Sequence, residues 1–219
     1  MIEKISLHDV LPRVFRGGED ESSAKNSQVW LCDLDFIRGN RYLIEAESGA
    51  GKSSLCSFLY GVRSDYEGRI EFDGQEIASF SANRWSDLRS HSLGYLPQDL
   101  RLFPELTVAE NITLKNRLTD FKSMAEIAAM LEQLGLDNKI DAKTGLLSVG
   151  QQQRVAIVRS LCQPLDFLLI DEPVSHLDEQ NNRAVARMIS DELDRQGAGL
   201  IATSVGNKIL IDNLNALKL

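Results

Sequence analysis

The sequence predicts an α/β fold on a mainly parallel sheet, interrupted by a helical lobe. Three observations carry the prediction. Strand-forming runs alternate with helical patterns at both ends of the chain, at 41–46 then 53–60 and again at 167–170, 179–196 and 199–203. A glycine-rich loop, Glu47-Ser48-Gly49-Ala50-Gly51, joins the first of these strands to its helix. Between them, residues 99–147 carry helix-start signals and no strand pattern.

The elements follow in order. Residues 29–36 are rich in strand formers, and Asp33 and Asp35 alternate with Leu34 and Phe36. Arg38-Gly39-Asn40 is a turn, and 41–46 is a second short strand. The stretch 16–28 before them, polar and with a Gly-Gly pair, reads as a solvated loop. Residues 53–60 form a buried helix that stops at Gly61. Arg69-Ile70-Glu71-Phe72, Asp73-Gly74 and Gln75-Glu76-Ile77 make a hairpin with a type I′ turn. Thr107-Val108-Ala109-Glu110 and Ser123-Met124-Ala125-Glu126 are capping boxes. The second opens a helix with Met124, Ile127, Leu131 and Leu134 on one face, closed by Gly135. The unbroken apolar run 167–170 is a strand buried on both faces. Asp178 caps the helix 179–196, Gly197 ends it, and 199–203 is a further strand.

Composition narrows the class. A chain of 219 residues suits one large domain or a core with an embedded lobe. Hydrophobic residues at 43% and charged residues at 26% exclude intrinsic disorder. The net charge of −8 makes a general nucleic-acid binder a poor expectation. No apolar run approaches the ~18 residues of a membrane span. Met1-Ile2-Glu3-Lys4 has early charges and no apolar stretch, so no secretory leader is expected. Cys32, Cys56 and Cys162 are scattered without a CxxC pair and read as reduced thiols.

Three constellations carry chemistry. In Ala46-Glu47-Ser48-Gly49-Ala50-Gly51-Lys52-Ser53, backbone N–H groups of 48–53 can wrap a phosphate, and Ser54 continues the helix start. Lys52 reaches the β- and γ-phosphates, and the Ser53 hydroxyl suits Mg²⁺. The first glycine of the usual pattern is Ala46 here, a mild departure. The strand 167–170 ends in Asp171 and Glu172, a pair that is costly at a buried strand end without a cation. Asp171 suits the metal, and Glu172 suits the general base for an attacking water. Finally, Leu147-Ser148-Val149-Gly150-Gln151 precedes an apolar helix. Ser148 with Gln151 is a capping box, and such a helix start also offers N–H groups to a phosphate.

The order AESGAGKSS, YLPQ, LSVGQQQR, LLIDEP and SHLD resembles the nucleotide-binding subunit of ATP-binding cassette (ABC) systems over nearly the whole chain. Residues 95–111 are similar to the lipoprotein-release, macrolide-export and cell-division group. The resemblance implies a P-loop NTPase with a RecA-like core, a helical subdomain and a small N-terminal antiparallel β-region. It divides a single domain, 1–219, into a core of 1–98 and 148–219 and a helical subdomain of 99–147. It implies ATP and Mg²⁺ as ligands and a head-to-tail homodimer sandwiching two ATP molecules. Ser148 and Gly150, with Gln151, would meet the γ-phosphate held by the other subunit. Gln98 resembles the glutamine that senses Mg²⁺ and the attacking water, and Asp178 an aspartate that crosses the dimer seam. Phe15 is the candidate to stack on adenine, whereas Trp30 reads as core.

Two departures bear on activity. Val149 stands where the family's LSGGQ has glycine, which reshapes or weakens the closed dimer. Ser204 stands where the family ends its last core strand with a histidine on the γ-phosphate. One lost hydrogen bond to a charged group is worth roughly 1.5–3 kcal/mol, about ten- to hundredfold in rate if it acts in the transition state. His176 reads as a surface residue, and 208–219 as a brief helix and strand or a hairpin. The resemblance implies a cytoplasmic ATPase on the inner face of the plasma membrane, touching the membrane only through a separate transmembrane permease. Leu102, Phe103 and Leu106 are either contacts for that permease's coupling helix or core of the helical subdomain. The alternatives are a regulatory ATPase of the cell-division type that transports nothing, a degenerate cassette with very slow hydrolysis, and a nucleic-acid ABC ATPase. The last is disfavoured, because 166–196 holds eight acids against three arginines and no basic stripe.

Overall fold

The computed structural model describes residues 1–17 and 24–219. Two sheets organise them. Strands β1 (Lys4–Pro12), β2 (Asp33–Ile37), β4 (Tyr66–Phe72) and β5 (Gln75–Glu76) form an antiparallel sheet in the order β2-β1-β4-β5. Strands β3 (Arg41–Glu45), β6 (Leu93–Leu96), β7 (Phe167–Asp171), β8 (Gly199–Ser204) and β9 (Asn215–Lys218) form a parallel sheet in the order β6-β7-β8-β3-β9.

The parallel sheet divides the core in two. Leu168 and Ile170 of β7 pack with α5 (Val149–Ser160) and α6 (Glu179–Gln196) on one face. Phe167 and Leu169 pack with Phe58 of α1 (Lys52–Leu59) and with the antiparallel sheet on the other. Successive side chains on a strand point to opposite faces, so a strand buried on both sides must be apolar throughout. That is the physical origin of the unbroken run in β7.

The hairpin forms at Asp73 (φ 49°) and Gly74 (φ 77°), two consecutive left-handed residues as a type I′ turn requires. Phe72 pairs with Gln75 across it. Residues between β6 and α5 form α3 (Val108–Asn116), α4 (Met124–Gln133) and short 3-10 turns. Both expected capping boxes are made, at Thr107–Glu110 and Ser123–Glu126. Asn111, fully buried, ties the loop before α3 together: its amide donates to the Phe103 and Thr107 carbonyls, and its Oδ1 accepts from the Phe103 N–H.

Several expectations need correction. The strand expected at 29–36 begins at Asp33, and Val29 and Trp30 lie in a turn. They are apolar because they are buried, and the Trp30 indole donates to the Ala50 carbonyl at 3.2 Å. Met124 is 55% exposed, not on the buried face. It is the first residue of α4, so the stripe begins one turn later at Ile127 and continues through Met130, Leu131 and Leu134. The tail is no hairpin: β9 pairs parallel with β3. Of the solvated loop expected at 16–28, residues 18–23 lie outside the described residues. The expectations omitted β1, β6 and α2 (Ala82–His91). Helix α2 buries only Leu88, so no apolar stripe announces it.

Candidate functional site

The C-terminal ends of β3, β7 and β8 meet at the site, the usual place for ligands on an open parallel sheet. Strand β3 runs into the glycine-rich loop, and α1 starts at Lys52 with Gly51 as its N-cap. Gly51 has φ 94°, and a Cβ there would lie 3.1 Å from the Phe15 ring and 3.2 Å from the Trp30 ring. The positive φ favours glycine, and a side chain would also press on both rings. With no side-chain cap on Gly51, the first-turn amides of α1 are available to an anion.

Lys52 is only 5% exposed. Its ammonium donates to the Ala46 carbonyl at 3.2 Å and the Glu47 carbonyl at 2.6 Å. Burial lowers its pKa, and the carboxylates of Glu172 and Asp171 act in the opposite direction. The lysine thus shares its electrostatic environment with the end of β7. There Asp171 is 2% exposed, and the Thr203 hydroxyl of β8 donates to its Oδ1 at 2.5 Å. The same hydroxyl accepts the Glu172 N–H at 3.2 Å. Glu172 has φ 50°, a left-handed conformation that costs a non-glycine residue energy and is common at functional sites. The Gln98 amide donates to Glu172 Oε2 at 3.3 Å.

Two cavities flank the loop. One, of about 820 Å³, is lined by Phe15, Trp30, residues 45–50, residues 204–206, Lys208 and the end of β9. Phe15 is 8% exposed and Trp30 is core, as expected, though the indole edge also reaches the cavity. The other, of about 470 Å³, brings together Ser53, Gln98 and Asp171 beside Tyr95. A hydroxyl, an amide and a carboxylate form a hard oxygen donor set that fits Mg²⁺, which takes one or two carboxylates together with substrate phosphates. Among the described residues no group of three or more His, Cys, Asp or Glu side chains suits a metal on its own.

The remaining candidates are engaged in contacts of their own. Ser54 accepts a hydrogen bond from Arg63 at 2.9 Å. Ser148 and Gln151 make the expected capping box at the start of α5, and they and Gly150 line neither cavity. A Cβ on Gly150 would lie 2.9 Å from the His176 carbonyl, so the loop after β7 packs closely on this helix start. Val149 is exposed, and Leu146 beside it is 82% exposed. Asp178 caps α6 through the Asn181 N–H at 2.8 Å. His176 is exposed, and its Nδ1 meets the Ser175 hydroxyl. Ser204 is buried at 3% exposure, and its hydroxyl donates to the Asn207 carbonyl at 2.7 Å. Sequence reasoning missed Thr203, whose bridge between Asp171 and Glu172 depends on strand adjacency. Nothing in the tail singled out Lys208, which lines the larger cavity and pairs with Glu45.

A protein-family model described as ABC transporter matches residues 31–175. The chain belongs to the ABC transporter family. The cassette is 33% identical over 171 residues to the lipoprotein-releasing system ATP-binding protein LolD of Syntrophotalea carbinolica, covering 77% of this chain and 75% of that one. It is 32% identical to the ABC transporter ATP-binding protein YtrE of Bacillus subtilis, covering 74% and 71%. The dimeric structure of MJ0796, a bacterial ABC transporter cassette, matches with a TM-score of 0.80 at 22% identity, over 98% of this chain and 94% of that one. That likeness establishes the P-loop NTPase fold, with its parallel core sheet, small antiparallel sheet and helical segment. Among the described residues no helix of the cassette is long and apolar enough to cross a membrane.

Proposed function

We propose that this cassette binds and hydrolyses ATP to power a membrane ABC transporter through nucleotide-driven head-to-tail dimerisation. The observation that carries this reading is that the start of α1, with Lys52 and Ser53, faces Asp171 and Glu172 at the end of β7, two strands away in the sheet from β3. The ATP-binding names of the relatives support it.

The residues take the following roles. The polyphosphate of ATP replaces the Ala46 and Glu47 carbonyls as the partner of Lys52. Amides of Glu47, Ser48, Gly49, Ala50, Gly51, Lys52 and Ser53 surround it, with Ser54 in the next turn. Ser53, Asp171 and Gln98 hold Mg²⁺, which neutralises charge on the phosphates when bound. Glu172 accepts a proton from the attacking water, and Gln98 orients that water once its amide leaves Glu172. Ser148, Gly150 and Gln151 complete the site of a second copy, since they line neither cavity of their own chain. Asp178 lies at that seam, and Phe15 offers its ring to adenine. In this reading 1–98 and 148–219 act as the nucleotide-binding core and 99–147 as the helical subdomain. A separate permease receives the motion near Leu102, Phe103 and Leu106, which holds the cassette on the cytoplasmic face of the plasma membrane. Nucleic acid has no part in the cycle.

One observation favours slow turnover: the Ser204 hydroxyl is already spent on Asn207, so it offers the γ-phosphate no direct contact. The test is phosphate release from Mg-ATP by the purified chain, with Glu172→Gln as the comparison. Turnover that the substitution abolishes supports the reading. Phosphate release that persists undiminished in Glu172→Gln overturns the role of Glu172, and failure to bind ATP overturns the function.

A further inference from the structure

The larger cavity is lined by two lysines that the roles above leave unused, Lys208 and Lys218, and Lys208 is the one whose ammonium is paired with a carboxylate beside the glycine-rich loop. Lys208 follows β8, and its chain is held at three points. The Ser204 hydroxyl donates to the Asn207 carbonyl at 2.7 Å and closes the turn before it. The Asn182 side chain of α6 donates to the Lys208 carbonyl at 2.9 Å and accepts the Leu210 N–H at 3.1 Å. Ile209, buried beside it, anchors this segment to the core. The backbone is thus built into position while the Lys208 side chain, 54% exposed, stays on the cavity side. Its ammonium meets Glu45 Oε1 at 2.6 Å, at the last residue of β3 before the glycine-rich loop.

Exposed lysine–carboxylate pairs of this kind contribute little to stability, so the pair is easily exchanged. A polyphosphate seated over the loop amides at 47–50 is a far denser anion than one carboxylate, and Lys208 lines the same cavity wall to wall with those residues. We infer that Lys208 exchanges Glu45 for the polyphosphate of the bound nucleotide and is a phosphate-binding residue of this cassette. The cation enters the cavity from the segment that follows β8. It compensates for the buried, engaged Ser204 at the head of the same turn. This inference rests on the proposed ATP-binding function and adds a residue to it.

The experiment measures equilibrium dissociation constants for Mg-ATP and, by competition, for inorganic tripolyphosphate, at several salt concentrations. The wild type is compared with Lys208→Met and Lys208→Arg. Lys208→Met is expected to weaken both ligands about tenfold, equivalent to ~1.4 kcal/mol. It is also expected to flatten the salt dependence, and Lys208→Arg to restore most of the affinity. Wild-type affinity for both ligands in Lys208→Met overturns the inference. So does a loss for ATP without a loss for tripolyphosphate, because the contact would then be to sugar or base. A wild-type chain that binds neither ligand fails at the earlier step, the proposed function itself, and takes this inference with it.

Discussion

Thr203 shows how a single hydroxyl organises chemistry that belongs to its neighbours. It donates to Asp171 and accepts from the Glu172 N–H, so from one position it orients the Asp171 carboxylate and holds the backbone of Glu172. Thr203→Val removes both bonds inside the protein, where an unsatisfied partner costs about 1–3 kcal/mol. The expected outcome is a lower denaturant midpoint and slower turnover with ATP still bound, measured by urea unfolding and phosphate release. Glu172→Gln differs in kind. It keeps shape and hydrogen-bonding capacity but removes the base, and general-base loss lowers turnover about 10²- to 10⁴-fold. ATP affinity in that variant is expected to stay close to wild type, which a binding titration checks.

At the scale of elements, the segment between β6 and α5 is joined to the core by a buried ion pair. Lys122, just before α4, donates to Glu192 of α6 at 2.7 Å, and both side chains are almost fully buried. Burial raises the Glu192 pKa, but hydrogen bonds from Arg195, Lys122 and Gln196 outweigh it and the net shift is downward. Breaking a buried pair by removing one partner costs about 3–5 kcal/mol, whereas an apolar replacement of both is often close to neutral. Glu192→Gln is therefore expected to be severely destabilised, and Lys122→Met with Glu192→Leu to recover most of the loss, as read by thermal unfolding. Helix α3 supplies a pH dependence. Burial, with Arg159 nearby, pushes the Lys115 ammonium down to about 8 from 10.5. Between those values the unfolded chain binds the extra proton, so this contribution to stability rises with pH and is lost as pH falls through 8. Lys115→Met is expected to lack that rise in a urea series from pH 7 to 10.

For the whole molecule, the proposed head-to-tail dimer divides the candidate residues between two chains. Lys52, Asp171, Glu172 and Gln98 converge, while Ser148, Gly150 and Gln151 cap a helix whose start lines neither cavity. Exposed Leu146 and Val149 flank that start. The expected outcome is a monomer without nucleotide and a dimer of Glu172→Gln with Mg-ATP, measured by light scattering. Val149→Gly is expected to tighten that dimer, since it removes a β-branched side chain from the approach to the phosphate.

Local signals were legible in the sequence wherever one stretch of chain holds its own explanation. The glycine-rich loop between strand and helix, the capping boxes and the type I′ hairpin all depend on residues within a few positions of one another. Tertiary structure decided what depends on distant neighbours. Trp30 is apolar because it packs under the loop at Gly51, though it lies in no strand. Met124 is exposed because the first turn of α4 projects beyond the surface that buries Ile127. The bridge of Thr203 to Asp171 exists only because β7 and β8 are adjacent in the sheet. The pairing of Lys208 with Glu45 spans 163 positions, and no periodicity or spacing encodes a contact made by folding the segment after β8 against the end of β3.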